Sequence, residues 1–234
     1  MLELKDVHTY YGNSHILQGI SFSVAQGKCY VMLGRNGAGK TTTINTISGL
    51  APSRSGSVVF QGEAIQSQPS WKISRMGIGF VPQGRRIFPS LTIKENLTMS
   101  ARPNPKNGGN AWDLEAVYDL FPVLKEREKN MGNQLSGGQQ QMLAIGRALM
   151  TNPELVLMDE PSEGLAPIII DQIGDIVIRL KETGLSILMV EQNIALACRV
   201  ADKILIMNKG RIVCELDPDE LLANKEIQHQ YLGV

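Results

Sequence analysis

The sequence has no apolar run approaching the ~20 residues that a helix needs to span a bilayer. Its first residues, Met-Leu-Glu-Leu-Lys-Asp, place no basic segment before an apolar one, so no secretory leader is expected and the chain reads as soluble and cytoplasmic. Net charge is missing as well. The 23 Lys+Arg balance the 23 Asp+Glu, which leaves no global basic field to hold nucleic acid or an anionic membrane surface, so any such contact must be local. Cysteine is scarce and unpatterned. Cys29, Cys198 and Cys214 are odd in number, far apart and without CxxC or Cys/His metal spacing, which fits small buried thiols in a reducing compartment.

What is present is material for one sizeable core without disulfides: 234 residues, 43% of them hydrophobic, enough for one large domain or a core with an embedded subdomain. Strand-length apolar runs recur at Lys28–Leu33, Ile78–Val81, Leu155–Met158, Ser186–Val190 and Lys203–Met207. Near-continuous apolar character is what strands covered on both faces require, so these predict a parallel sheet in an α/β core. Leu2–Val7, Ser57–Gln61 and the Met207–Arg211 turn into Ile212–Cys214 look like antiparallel hairpin additions at the edges. Between Gln83 and Leu155 the strand signal lapses and helical patterning takes over. A helical subdomain over 85–149 is therefore expected within a core made of 1–84 and 150–234. Inside it, Arg102–Asn110 reads as an exposed loop rich in proline and glycine. Ile169, Ile173, Ile176, Val177 and Leu180 share one helical face, with Asp171, Gln172, Asp175 and Arg179 on others. Asp217, Pro218 and Glu220 spell the start of a short C-terminal helix.

The run Lys28–Leu33 leads into Gly34-Arg35-Asn36-Gly37-Ala38-Gly39-Lys40-Thr41, a match to GxxxxGK[ST], and Thr42–Ser48 reads as a helix behind it. Glycines let successive N–H groups point at phosphate oxygens, and the helix N-terminus adds partial positive charge. Lys40 is placed to reach the β- and γ-phosphates and Thr41 to ligate Mg²⁺. The run Leu155–Met158 ends in Asp159-Glu160, which assigns Asp159 to the metal and Glu160 to the attacking water.

Many unrelated enzymes own such a loop. The discriminating segment is Leu135-Ser136-Gly137-Gly138-Gln139, followed by a helix with Met142, Ile145 and Leu149 on one face. It resembles the signature of ABC ATPases, and the resemblance covers essentially the whole chain. It implies a P-loop NTPase core of RecA type with an antiparallel β subdomain and an inserted helical subdomain, binding ATP and Mg²⁺. Tyr11 resembles the residue that stacks on adenine, with Tyr10 as its rival, and Gln83 resembles the glutamine that meets nucleotide and metal. Gly34, Asn36, Gly37, Ala38, Gly39, Lys40, Thr41 and Thr42 form the implied phosphate cradle. Ser136, Gly137, Gly138 and Gln139 form a second one, acting across a head-to-tail dimer.

Two positions depart from the family pattern. The segment Ser162-Glu163-Gly164-Leu165-Ala166-Pro167 lacks the usual aspartate, and Glu191-Gln192-Asn193 stands where the switch histidine is expected. Gln192 donates hydrogen bonds but carries no proton at neutral pH. Glu160 is therefore expected to activate water and Gln192 to sense the γ-phosphate. His8, His15 and His229 are expected at the surface or in packing.

Phe80–Pro89, Glu160–Pro167, Val190–Asn193 and Tyr231-Leu232-Gly233 resemble the smaller ATPase of bacterial importers for branched-chain and other hydrophobic amino acids. That implies two integral membrane permease subunits, a second ATPase (paralogous or a second copy), a solute-binding protein reached indirectly, and a peripheral position on the cytoplasmic face of the bacterial plasma membrane. Importers of urea or short amides, and a soluble cofactor-assembly ATPase, are the alternatives. Arg85–Phe88 is expected to meet a membrane subunit's cytoplasmic helix, with core packing of Ile87 and Phe88 the competing reading. The sequence has no second GxxxxGK[ST], no heptad run and no CxxC, which disfavours mechanical ATPases of the ribosome or DNA. A small-molecule kinase has no use for the Leu135–Gln139 segment.

Overall fold

The computed structural model describes residues 1–103 and 112–233. Of the loop expected over 102–110, residues 104–110 lie outside the described residues. The chain opens with two antiparallel strands, β1 (Leu2–Tyr11) and β2 (Ser14–Val24). They are joined at a tight turn where Gly12 takes φ +58°, a left-handed conformation that such turns demand. β3 (Cys29–Leu33) runs into α1 (Lys40–Ile47), followed by β4 (Ser55–Phe60), β5 (Glu63–Ala64), α2 (Ser70–Arg75) and β6 (Ile78–Val81). Among the described residues the α-helices α3 (Ile93–Thr98), α4 (Leu114–Leu120), α5 (Pro122–Glu126) and α6 (Gly137–Leu149) come next, with a 3-10 turn at Gly132–Gln134 before α6. Strands and helices then alternate through β7 (Leu155–Asp159), α7 (Pro167–Glu182), β8 (Ser186–Glu191), α8 (Ile194–Val200), β9 (Lys203–Asn208) and β10 (Arg211–Leu216). The last elements are α9 (Pro218–Ala223), α10 (Lys225–Ile227) and a single wide turn at Gln228–Leu232.

The strands form two sheets. One has six strands in the order β10-β9-β3-β8-β7-β6, parallel except for the β9–β10 hairpin at its edge. The other has four in the order β2-β1-β4-β5, all antiparallel. The first and fourth strands therefore build a separate sheet and do not extend the parallel one, whereas the 207–211 turn does make an edge hairpin.

Alternate residues of the central strands enter two different cores. Val156, Met158, Ile187 and Met189 pack with the helices of the second half of the chain. Leu155, Leu157, Leu188 and Val190 pack with α1 and the four-stranded sheet. This two-sided burial is why these strands read as unbroken apolar runs. Each such side chain contributes about 1.5–3 kcal/mol relative to exposure.

Helices α3 to α6 lie between the neighbouring parallel strands β6 and β7. Helix α3 is started by a reciprocal Thr92–Glu95 capping box. At Gly146 a Cβ would sit 2.9 Å from Val117 and 3.1 Å from Leu97, so this glycine lets α6 approach α3 and α4 closely. In α7 the expected face is buried at Ile173, Ile176, Val177 and Leu180, and half-buried at Ile169. No helix among the described residues is long and apolar enough to cross a membrane.

Candidate nucleotide site

β3 delivers its C-terminal end to a loop that the backbone itself organises. Ala38 donates its N–H to the Arg35 carbonyl (3.1 Å), and Gly210 donates to the Ala38 carbonyl (2.8 Å). Gly34 is packed so tightly that a Cβ there would lie 2.3 Å from the Met207 carbonyl oxygen. Gly37 takes φ +78° with open space around it, which suits a backbone that a ligand approaches closely. Helix α1 has Gly39 at its N-cap and no side-chain cap bond among the described residues, which leaves the first N–H groups of the helix to an incoming acceptor.

Lys40 is buried and its ammonium donates to the carbonyls of Gly34 (2.9 Å) and Arg35 (3.4 Å). The same ammonium lies 3.5 Å from Glu160 Oε1. Thr41 donates its hydroxyl to Asp159 Oδ1 at 3.0 Å, across the ends of α1 and β7. Asp159 is buried, and that burial raises its pKa from the ordinary 3.8 to about 6 against the lowering effect of the Thr41 hydrogen bond.

Glu160 follows directly with φ +48°, a conformation that costs a non-glycine residue about 1–2 kcal/mol and is held by its N–H bond to the Val190 carbonyl (2.9 Å). Its carboxylate collects three side chains. Gln192 Nε2 donates to Oε1 at 2.8 Å, Gln83 Nε2 reaches Oε2 at 3.4 Å, and Lys40 completes the set. Gln83 also donates to Glu163 at 3.0 Å.

Asn36, Gly37, Gly39, Lys40, Thr41, Thr42, Gln83, Glu160 and Gln192 thus surround one cleft of about 430 Å³, with Asp159 joined to it through Thr41. Ile16 and Glu163 line it too, and neither stands out in the sequence. Ile16 belongs to β2, whose apolar pattern is irregular around it, and Glu163 is one acid in a segment already off the family pattern.

Ser136 and Gln139 are elsewhere. They line a second cavity of about 440 Å³ with Met142, Ile169 and Gln172, and none of its residues borders the first. Ser136 N-caps α6. Its hydroxyl accepts from Gln139 N (3.3 Å), while Gln139 Oε1 accepts from Ser136 N (3.0 Å). The hydroxyl proton and the N–H groups of Gly137 and Gly138 at the helix start remain outside that capping box.

The two tyrosines separate. Tyr10 is stacked on His15 (4.2 Å, 4° between planes), with the Arg54 guanidinium 3.9 Å over its ring. Tyr11 is 50% exposed. His8 bonds His15 and Asp6, so both histidines serve packing around this turn. Ile87 packs against the core, whereas Phe88 is 43% exposed and borders a groove of about 350 Å³ with Phe80, Met99, Ser100 and Arg147.

A parallel sheet whose strand β3 feeds a glycine loop and an open helix start, with a carboxylate pair at the end of β7 on the far side of β8, defines a P-loop nucleoside triphosphatase. The ABC transporter family profile matches residues 17–163. The chain belongs to that family and is an ATP-binding, ATP-hydrolysing subunit of an ABC transporter. Along all of both chains it is 43% identical to the high-affinity branched-chain amino acid transport ATP-binding protein BraG of Pseudomonas aeruginosa. A nucleotide-free ATP-binding cassette from an ABC transporter superposes with TM-score 0.82 at 28% identity, covering 97% of this chain and 96% of that one. A dimeric ATP-binding cassette in a post-hydrolysis state, bound to ADP and Pi, superposes with TM-score 0.79 at 26% identity, covering 93% and 99%. The RecA-like core with its antiparallel sheet and helical insertion is the architecture of these cassettes.

Proposed function

We propose that the chain powers a bacterial importer for branched-chain or other hydrophobic amino acids, seated at the cytoplasmic face of the plasma membrane against two integral membrane subunits. The end-to-end similarity to BraG supports the solute class. The observation that carries the assembly is the separation of the two anion-binding surfaces: the Lys40 cleft and the Ser136 cavity share no residue. Two copies, or this chain and a paralogue, meeting head to tail bring one subunit's Lys40 loop to the other's Ser136 signature. The dimeric state of a cassette bound to ADP and Pi supports pairing of two such chains.

In this reading the N–H groups of Gly37 and of Gly39 to Thr42, together with the Lys40 ammonium, hold the triphosphate, while the Ala38 N–H is kept by the Arg35 carbonyl; Tyr11 offers its exposed ring to adenine while Tyr10 is occupied by packing. The donor set suits Mg²⁺: hydroxyl, carboxylate and amide oxygens of Thr41, Asp159 and Gln83, with no cluster of three His, Cys, Asp or Glu among the described residues to form a dedicated cage. Bound there, the metal neutralises charge on the phosphates. Glu160 polarises the attacking water, and Gln192, whose amide already donates to Glu160, orients that carboxylate. Ser136, Gly137, Gly138 and Gln139 complete the partner's site. The groove beside Phe88 takes a cytoplasmic helix of a membrane subunit.

Extraction of the chain at native abundance from its host membranes, followed by mass spectrometry of what co-purifies, tests the reading. Two multi-span proteins and a second ATPase are expected, with leucine uptake lost on deletion. Recovery from the soluble fraction alone overturns the transport assignment; uptake of urea or amides in place of leucine overturns the solute.

A further inference from the structure

One buried carboxylate beside the cleft does not line it. Glu191 ends β8, is 1% exposed, and has no Lys or Arg partner among the described residues. Its oxygens accept backbone N–H groups instead. Oε1 accepts from Ser162 at 3.0 Å, and Oε2 accepts from Gln192 at 3.0 Å and Asn193 at 3.2 Å. A desolvated carboxylate is tolerated only where such donors surround it, and once they do the geometry is rigid.

Those donors belong to two different segments. Ser162 lies two residues beyond Glu160, in the stretch that lacks the family's aspartate. Gln192 and Asn193 form the turn that lacks its histidine. The ends of β7 and β8 run side by side, with Asp159 paired to Val190, so Glu191 is the link between the two segments as they leave the sheet. Gln192 itself is a flexible side chain at the surface end of its turn, and it nevertheless meets Glu160 at 2.8 Å.

We propose that Glu191 is a positioning residue for ATP hydrolysis: by clamping the Gln192 turn to the Ser162 segment it fixes the amide of Gln192 against the carboxylate of Glu160. The inference rests on Glu160 being the group that polarises water. Where the family uses an imidazole, this chain uses a neutral amide with more rotatable bonds, and the buried clamp supplies the orientation that such an amide lacks by itself.

Glu191→Gln keeps the side-chain volume but turns one acceptor into a donor, which faces an N–H on one side or the other and opens the clamp. In the full-length chain within the complex extracted from its host membrane, kcat for ATP is expected to fall at least 10-fold, with KM and nucleotide affinity within twofold of wild type. In a Gln192→Ala background the same change is expected to lower kcat less than twofold, because its effect is exerted through Gln192. Where Glu191→Gln does not fold, Glu191→Asp keeps the charge and the local turn bonds while giving up reach to Ser162, and a fall in kcat of several-fold at unchanged KM is expected. An unchanged kcat in either variant, or full additivity with Gln192→Ala, overturns the proposal. Glu160→Gln is the control: if it retains turnover, the reading of the site fails, whereas if it is inactive and Glu191→Gln is not, only the clamp fails.

Discussion

At the scale of single residues, the site is a set of buried charges whose balance is legible in the distances. Lys40 and Glu160 lie 3.5 Å apart with little solvent around either, while the Asp159 carboxylate accepts from the Thr41 hydroxyl at 3.0 Å. Burial raises the Asp159 pKa to about 6, so between about pH 4 and 6 the folded chain holds a proton that the unfolded chain has released. Stability attributable to this group therefore falls as pH rises across that window, and a displacement of that size is worth at most roughly 3 kcal/mol. Asp159→Asn keeps an acceptor for Thr41 and removes the burial penalty. In urea titrations without nucleotide it is expected to be more stable than wild type at pH 7.5, with the gain shrinking toward pH 5, and to lose the stabilisation that Mg-ATP gives the wild type. Equal stability of the two at both pH values would contradict this. Glu160→Gln preserves shape and the left-handed backbone but withdraws the basic oxygen that a water would use. A fall in kcat of about 10²–10⁴ with ATP affinity retained is expected, measured by steady-state turnover beside nucleotide titration.

At the scale of elements, what the sequence reveals depends on how far the information is local. The five central strands lie within a residue or so of their apolar runs because both faces are buried. The phosphate loop and the signature are contiguous in sequence and are legible for that reason. β2 is not, since Gly19 and three register shifts along β1–β2 blur its alternation. Glu191 and Glu163 are equally silent: each acts through a segment about 30 or 80 positions away, which only the pairing of strand ends brings near. Between Tyr11 and its rival Tyr10 the sequence carries no packing information: only the fold brings His15 and Arg54 onto the Tyr10 ring and leaves Tyr11 half exposed. Helix α6 shows how a local device can carry a second duty. Ser136→Ala removes an N-cap and is expected to lower stability by about 1 kcal/mol. If the same hydroxyl also meets a partner's nucleotide, the variant loses ATP-dependent dimerisation far beyond that small destabilisation. Sedimentation with Mg-ATP in the Glu160→Gln background reads this, and an unchanged dimer fraction would reduce Ser136 to a cap.

At the scale of the whole molecule, the chain presents two faces left open among the described residues. One is the pair of separated surfaces at Lys40 and Ser136, which on the proposed reading a second cassette completes. The other is the groove where Phe88 is 43% and Met99 55% exposed, and where Arg147 is bonded through Nη2 to the Arg86 carbonyl while its buried Nη1 has no acceptor among the described residues. A buried donor without a partner costs about 1–3 kcal/mol, and two half-exposed large apolar side chains add comparable driving force when covered. An amphipathic helix offering apolar residues to Phe88 and Met99 and an oxygen to Arg147 would relieve all three at once, and the groove adjoins both α6 and β6, the strand that leads into the turn bearing Gln83, so its occupant would touch elements next to both proposed nucleotide surfaces. Phe88→Asp places a charge against that helix and leaves the Lys40 cleft untouched. Loss of at least ~2 kcal/mol at the groove corresponds to roughly 30-fold weaker association. Recovery of the variant with membranes is therefore expected to fall by that order while ATP affinity of the purified chain is unchanged; retention on membranes at the wild-type level would move the docking surface elsewhere on the molecule.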